Sequence, residues 1–276
     1  MQAEAAPVVA FASTGAEVVR VGASPSLGAH QTWDANAPAL LAACRAACPT
    51  LALGPPLGEG AGGVVDLGHA GDTRDAVVDL VRRAWDLGAD VLVTTGGVSM
   101  GDADCVKPAL TDLSATVHFG KVRMKPGKPL TFATLRSPDG RPLLFFGLPG
   151  NPVSAFVTFH VVVLPAIRRL SGWPMAACPL QRIPVVVGPS EGEGPPFVRD
   201  KRRPEFHRAT LRWCAPPAFG LAEGDGAWGL EAVSTGDQVS SRLQSLVHAQ
   251  CLVEVPPGEG ALPRGAIAAA LLIKPL

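Results

Sequence analysis

The stretch Thr94-Thr95-Gly96-Gly97-Val98-Ser99-Met100-Gly101-Asp102-Ala103-Asp104 sets two adjacent glycines and two carboxylates directly after an apolar run. Glycines let the backbone come close to a ligand, and the free N–H groups of a following helix attract anions. Met124-Lys125-Pro126-Gly127-Lys128-Pro129 puts two ammonium groups on a turn stiffened by proline. Gly147-Leu148-Pro149-Gly150-Asn151-Pro152-Val153-Ser154 is a third rigid loop, again before a helical stretch. Carboxylates stand at Glu17, Asp72 and Asp104, with Asp34 a weaker candidate. Cations and N–H donors suit an oxyanion or a phosphate. Carboxylates beside them suit a divalent cation, because Mg²⁺ takes few carboxylates together with phosphate oxygens. No Ser/His/Asp set stands at a spacing that supports nucleophilic catalysis, and His69, His118 and His160 form no ligand cluster. Each feature also has a plainer reading: a Gly-Gly pair can simply turn the chain, Asp34 and Asp72 are natural helix caps, and two lysines on a turn can simply be solvated.

These residues need elements to position them. Pro7 to Ala12 reads as a buried strand that ends in Ser13-Thr14-Gly15, just ahead of Glu17, and Val91-Leu92-Val93 reads as another that delivers the glycine pair. Asp34 or Asn36 opens an Ala/Leu-rich helix that runs to Cys48. After a low-complexity loop from Gly54 to Gly63, Val64 to Leu67 restarts a strand. Asp72-Thr73 then caps a helix with Val77, Leu80, Val81, Ala84 and Leu87 on one face and Gly88 as its stop. A short helix carries Asp104, Val106 and Leu110, and Ala115 to Met124 returns as a strand into the lysine turn. Leu130 to Leu135 and Leu143 to Gly147 bracket a polar turn as a hairpin, and Pro152 opens a long helix to Leu170. Alternating strands and helices through residue 172 predict a three-layer α/β domain with a mostly parallel sheet. In such a sheet ligands bind at the carboxyl ends of the strands, where the three loops would converge. Beyond Trp173 the pattern changes to short extended segments, at 183–187, 206–213, 229–233 and 252–255, with a helical turn or two at most between Gln238 and Ala249. That predicts a separate all-β module over 173–276.

Composition narrows the function classes. Hydrophobic residues at 47% and charged residues at 17% suit a folded soluble chain, and equal counts of 24 for Lys+Arg and Asp+Glu argue against a broad basic face for nucleic acid. The six cysteines contain no C-x-x-C pair, which predicts free thiols in a reducing compartment. No signal peptide is expected at the N-terminus, since the first residues carry Glu4 and no basic region. The longest apolar run, Val153 to Leu164, is too short to span a membrane. A cytoplasmic location without membrane association follows as the expectation.

TTGGVSMGDAD, KPGKP and GLPGNPVSA, in this order, resemble the molybdopterin molybdenumtransferases, which include bacterial MoeA, the E domain of the plant molybdenum-insertion protein and the E domain of gephyrin. The resemblance runs from about Pro7 to the end, is densest between Val91 and Trp173, and covers the C-terminal half of the family's enzyme. It departs from the family pattern at Ala16, where an acid is usual, and at Ala35, where a hydroxyl is usual. The resemblance implies a MoaB/Mog-like α/β molybdopterin-binding domain over 1–172 and a small β-barrel-like domain over 173–276. It implies adenylylated molybdopterin and molybdate as substrates, metal insertion into the dithiolene, and cleavage of the pyrophosphate link with release of AMP. Lys125 and Lys128 would then hold molybdate, with Arg208 and Ser240 from the β module and Arg203, Ser234 and Ser241 as alternatives there. Asp104, Asp72 and Glu17 would hold Mg²⁺ and orient the pyrophosphate, with Asp34 facing the same edge. Gly96, Gly97, Ser99, Gly101, Pro129, Gly150, Asn151 and Ser154 would approach the pterin substrate. A homodimer and a molybdopterin adenylyltransferase partner domain are implied as well. Two further readings stay open: an ATP-using molybdopterin adenylyltransferase, which the α/β domain alone resembles, and a gephyrin-like scaffold without catalysis.

Overall fold

Two runs without polar interruption form the middle of the fold. Val8–Thr14 (β1) and Val91–Thr95 (β6) are buried at every position, as a strand covered on both faces must be. The computed structural model describes residues 6–54, 62–98, 105–188, 194–214 and 229–274. In it, these runs are joined by Ala52–Leu53 (β4), Gly63–Ala70 (β5), Thr116–Lys121 (β7), Pro129–Arg136 (β8) and Pro142–Leu148 (β9) in a seven-stranded sheet of order β4-β5-β1-β6-β9-β8-β7. The first five strands of that order are parallel. β8 is antiparallel to β9 and β7 antiparallel to β8, so β7 ends at the same edge as β1, β6 and β9. A small parallel pair, Val18–Val19 (β2) with Thr32–Trp33 (β3), lies outside the sheet.

Helices cover both faces. The even-numbered β1 residues Val8, Ala10 and Ala12 share a core with Val77, Leu80, Val81 and Ala84 of Arg74–Asp86 (α2) and with Val106, Ala109 and Leu110 of Val106–Asp112 (α3). On the other face Asn36–Ala47 (α1) and Pro152–Leu170 (α4) pack on the sheet and on each other, with the Phe11 ring 6.0 Å from that of Phe159. This is the expected three-layer, mostly parallel α/β arrangement. α2 begins where its cap chemistry dictates: Thr73 Oγ1 accepts from Ala76 N at 3.2 Å, and Gly88 at φ +75° ends the helix.

α4 departs from a plain helix. Phe159–Val163 form a π-helical segment, in which Leu164 N donates to Phe159 O. Pro165 has no N–H and its ring crowds the carbonyl one turn back, so the ladder slips there by one residue. By length and composition this is the one described helix apolar enough to cross a membrane, and over half of its apolar window is buried; it is the core helix of the α/β layer.

The chain divides into two compact units, Met1–Val122 with Gly127–Pro179, and Arg123–Pro126 with Leu180–Leu276. The division falls at Pro179–Leu180, seven residues past the boundary read from the sequence, and four residues of the lysine turn go with the second unit. That unit is a closed barrel of Arg182–Val187 (β10), Gly229–Ser234 (β12), Glu205–Cys214 (β11), Cys251–Val255 (β13) and Ile267–Leu272 (β14), in that order. Val185, Val187, Phe197, Ala209, Ala232, Val253 and Ala270 fill it. β14 has no counterpart among the extended segments expected from the sequence. Its Ala-Ala-Ala-Leu-Leu content favours helix locally, and pairing with β10 and β13 overrides that preference. All six cysteines are free and buried.

His160, buried in the π segment, bonds through Nδ1 to Phe156 O at 2.9 Å. Burial is the main cause that pushes its pKa from 6.5 down to about 4. The depressed value means that its stabilisation is complete above pH 6.5 and is lost as the pH falls toward about 4, because the unfolded chain takes up a proton that the folded one refuses. Each pH unit inside that window costs up to about 1.4 kcal/mol from this group. Thermal melts at several pH values should therefore show an acid limb below pH 6.5 that flattens in His160→Gln; an unchanged limb in that variant would assign the acid loss to other groups.

Candidate active site

Two of the three predicted loops, those after β6 and β9, meet at the carboxyl edge of the α/β sheet. The register pairs Ser13 with Thr95 and Thr95 with Leu148, so β1, β6 and β9 end at one level. Gly96 follows at φ +90°, and a Cβ there would lie 2.5 Å from Thr14 O. Its own N donates to Leu148 O at 3.0 Å. Gly97, at φ +66°, would bring a Cβ within 3.1 Å of both Thr14 Oγ1 and Cys105 Sγ. Gly150 stands against Gly96, 3.7 Å from its Cα to the position of an added Cβ, and its carbonyl accepts from Asn36 Nδ2 at 2.8 Å. The loops after β1, β6 and β9 thus share one spot with the start of α1. Ser99, Gly101 and Asp104 lie outside the described residues, as do residues 55–61 of the low-complexity loop.

Two of the expected carboxylates come together here. Asp72 Oδ2 accepts from Ala16 N at 2.7 Å, and the Glu17 carboxylate folds over Gly15, where an added Cβ would sit 2.8 Å from Oε2. Both side chains therefore flank the Gly15-Ala16 corner at the end of β1. His69 holds the same corner by donating from Nε2 to Gly15 O at 2.6 Å. Thr73, and not Asp72, makes the side-chain cap of α2. Among the described residues no three His, Cys, Asp or Glu side chains converge as a metal cage.

Asp34 has a different task. It is buried, and Oδ1 accepts from both Asn36 N and Ala37 N at 3.0 Å, closing the first turn of α1. Arg20 Nη1 stands 3.5 Å from Oδ2. Among the described residues neither Asp34 Oδ2 nor Asn36 Oδ1 has a hydrogen-bond partner, although both atoms are buried. Unmatched buried acceptors cost free energy that a donor on a ligand can recover. Asn151 precedes Pro152 at the start of α4, with its carbonyl accepting from Ala155 N at 2.9 Å. Ser154 is buried inside that first turn, and Pro129 opens β8.

The two lysines of the Lys-Pro-Gly-Lys-Pro turn part company. Lys128 is exposed in the α/β unit, its carbonyl closing the turn by accepting from Val122 N at 3.0 Å. Lys125 belongs to the β unit. Its N donates to Pro204 O at 3.0 Å, its carbonyl accepts from Phe206 N at 2.7 Å, and its ammonium lies 3.0 Å from Glu205 Oε2. Three residues along β11, Arg208 is wholly buried. Its Nε donates to Ser245 Oγ at 3.0 Å, and Nη2 to Asp237 O and Val239 O at 3.3 Å, while Nη1 is buried without a hydrogen-bond partner among the described residues. Burial brings this guanidinium down to about 10, against the opposing pull of Glu205, so it stays charged at neutral pH. Ser240 immediately follows Val239, one of the carbonyls that holds Arg208. Of the alternatives in the β module, Arg203 pairs with Asp200 at 3.0 Å and Ser234 Oγ meets His207 Nε2 at 2.7 Å. Sequence reasoning passed over Glu205 and His207, both buried; the signal available was an acid and an imidazole at alternate positions at the start of a strand, two residues apart and so on one face.

Gly96→Ala is expected to lower the thermal midpoint through its left-handed φ and its clash with a carbonyl oxygen, at a cost of order 1–3 kcal/mol or more. Gly150→Ala meets only an ordinary contact and should melt close to wild type. Equal melting of the two variants would show that the edge is not closed by the contact at Gly96.

A family described as "Probable molybdopterin binding domain" matches residues 10–169, and one described as "MoeA C-terminal region (domain IV)" matches residues 195–273. The chain is 37% identical over 215 residues to a Dictyostelium discoideum protein named gephyrin, covering 74% of this chain and 27% of that one. It is 31% identical over 263 residues to the molybdopterin molybdenumtransferase of Nostoc sp., covering 94% of this chain and 51% of that one. A solved molybdopterin biosynthesis MoeA protein from Pyrococcus horikoshii superposes with a TM-score of 0.67 at 25% identity, over 98% of this chain and 55% of that one. The chain thus spans about half, or less, of the length of these relatives.

Proposed function

This chain belongs to the molybdopterin-binding domain family, with a MoeA C-terminal region following, and from that membership we propose that it is a molybdopterin molybdenumtransferase. It would insert molybdate into the dithiolene of adenylylated molybdopterin and release AMP, as a homodimer supplied by a molybdopterin adenylyltransferase domain. The observation that carries this reading over a plain adenylyltransferase is the fate of the lysine turn. Lys125 belongs to the barrel unit, whose strand residue Arg208 keeps a buried N–H group without a partner among the described residues. Fixed cations and such a donor suit a tetrahedral dianion, and they stand in a barrel module that the resemblance to the adenylyltransferases, confined to the α/β domain, does not include. Arg208 and the adjacent Ser240 are accordingly assigned to molybdate, with Lys125 and Lys128.

The α/β edge takes the pterin part. Gly96, Gly97 and Gly150 stand at the strand ends, Ser99, Gly101, Asn151, Ser154 and Pro129 are assigned to the pterin with them, and the buried acceptors Asp34 Oδ2 and Asn36 Oδ1, without a hydrogen-bond partner among the described residues, suit the N–H groups of a pterin ring. Asp72 and Glu17 stand together at the Gly15 corner, and two carboxylates are a donor set that fits Mg²⁺ bridged to phosphate oxygens. Asp104 is assigned as the third. Bound there, the ion would neutralise the pyrophosphate, while the loops orient the link to be cleaved.

AMP release upon titrating molybdate into the chain with Mg²⁺ and adenylylated molybdopterin tests the reading. Release that saturates with molybdate is the expected result. ATP consumption independent of molybdate would make it an adenylyltransferase, and pterin binding without turnover a scaffold. Asp104→Asn should melt as the wild type does and release no AMP. A charge-assisted contact is worth roughly 1.5–3 kcal/mol, so Lys125→Ala and Lys128→Ala should each weaken the molybdate dependence about 10- to 150-fold and leave the pterin dependence nearly unchanged. Wild-type molybdate dependence in both would move the oxyanion elsewhere.

A further inference from the structure

Glu205 is buried to 2% exposure in the barrel, and it sits against the one lysine that the proposed chemistry needs there. The ammonium of Lys125 is 3.0 Å from its Oε2. His207 offers no compensating charge: its Nδ1 is 4.0 Å from Glu205 Oε1, and burial, with Arg208 and Lys125 nearby, drives its pKa to about 3. The main chain of Lys125 is secured independently of the carboxylate, by its bonds to Pro204 O and from Phe206 N. An anion that contacts the Lys125 nitrogen at about 3 Å must therefore lie within roughly 6 Å of Glu205, since both partners share one nitrogen. At that range two like charges repel appreciably in protein surroundings.

We infer that Glu205 sets the strength with which Lys125 can hold an oxyanion, acting through the lysine to keep the resting complex weak. The inference rests on the assignment of Lys125 to molybdate made above. An oxyanion that is to be transferred has to leave its cation, and affinity that is equally strong before and during the reaction does not raise turnover. A buried carboxylate on the far side of the ammonium takes part of its charge and leaves the oxyanion free to move on. Neutralising Glu205 removes the repulsion and also its pull on Arg208, while the Lys125 backbone and the Arg208 guanidinium keep their own hydrogen bonds, so the electrostatic effect outweighs the entropic one.

Calorimetric titration of sodium molybdate into the full chain decides it. Glu205→Gln should bind molybdate roughly tenfold more tightly, while Glu205→Asp, which keeps the charge, should stay within about threefold of wild type. In AMP release, Glu205→Gln should lower both the KM for molybdate and kcat, a pair of changes that simple loss of stability does not produce. Adding Glu205→Gln to Lys125→Ala should tighten binding by clearly less than it does in the wild-type background. Weaker or unchanged molybdate binding in a folded Glu205→Gln protein overturns the inference, as does an equal effect of Glu205→Asp. Glu205→Met serves as a second neutral variant with the same reading if the first does not fold. Failure of the underlying assignment looks different: Lys125→Ala would then bind molybdate as wild type does, and the inference would fall with it.

Discussion

The contact between Gly96 and the Thr14 carbonyl is the constraint on which the α/β edge depends. Three central strands end in register, so their loops start at one height and compete for one volume. They can share it only if one of them brings no side chain and can turn through a left-handed φ. Once Gly96 fills that role, its N–H is free to reach Leu148 O, and the loop after β9 comes to rest against it. The Gly15 corner with its two carboxylates, and the capped start of α1, are then neighbours of the same bare backbone.

The barrel solves a harder problem, because it buries charge. Glu205, Arg208 and Glu231 are all sealed from solvent at their side chains or nearly so. Uncompensated, such groups would be among the most expensive in the molecule. Glu231 pairs with Arg212, and an added Cβ at Gly188 would collide with its carboxyl carbon at 2.4 Å, so that glycine is what leaves it room. Arg208 is wrapped by the segment between β12 and β13: Gln238 Oε1 takes its backbone N at 2.8 Å, and Asp237, Val239 and Ser245 take its guanidinium. An irregular loop with little apolar content is thereby given one conformation by a single cation.

Much of this was legible in the sequence for physical reasons. Uninterrupted apolar runs at β1 and β6, the Thr73 to Gly88 helix with its start and stop signals, and the hairpin around Asp139-Gly140 each carry their structure locally. The glycine pair declared a close approach without naming its partner; Thr14 O is more than eighty residues away in the chain. What could not be read were consequences of distant pairing. The alanine-rich β14 is a strand because β10 and β13 leave a gap for it. Asp34 reads in the sequence as a cap or as a ligand-facing acid; Oδ1 caps α1, and Oδ2 faces Arg20 at 3.5 Å. The π segment of α4 had a signal in Pro165 inside an apolar helix, but a proline also marks an ordinary kink.

The chain leaves the α/β unit at Val122, returns at Gly127 and leaves again after Pro179. The consequence concerns the order in which the protein is made. Arg123–Pro126 emerge from the ribosome well before β11, the strand whose Glu205 backbone they join. The α/β layers can close around a four-residue gap in their own chain, since β7 and β8 on either side pair with each other. Those four residues precede their partner strand by about eighty residues, so the β unit draws in an early segment and is not assembled from the later part of the chain alone.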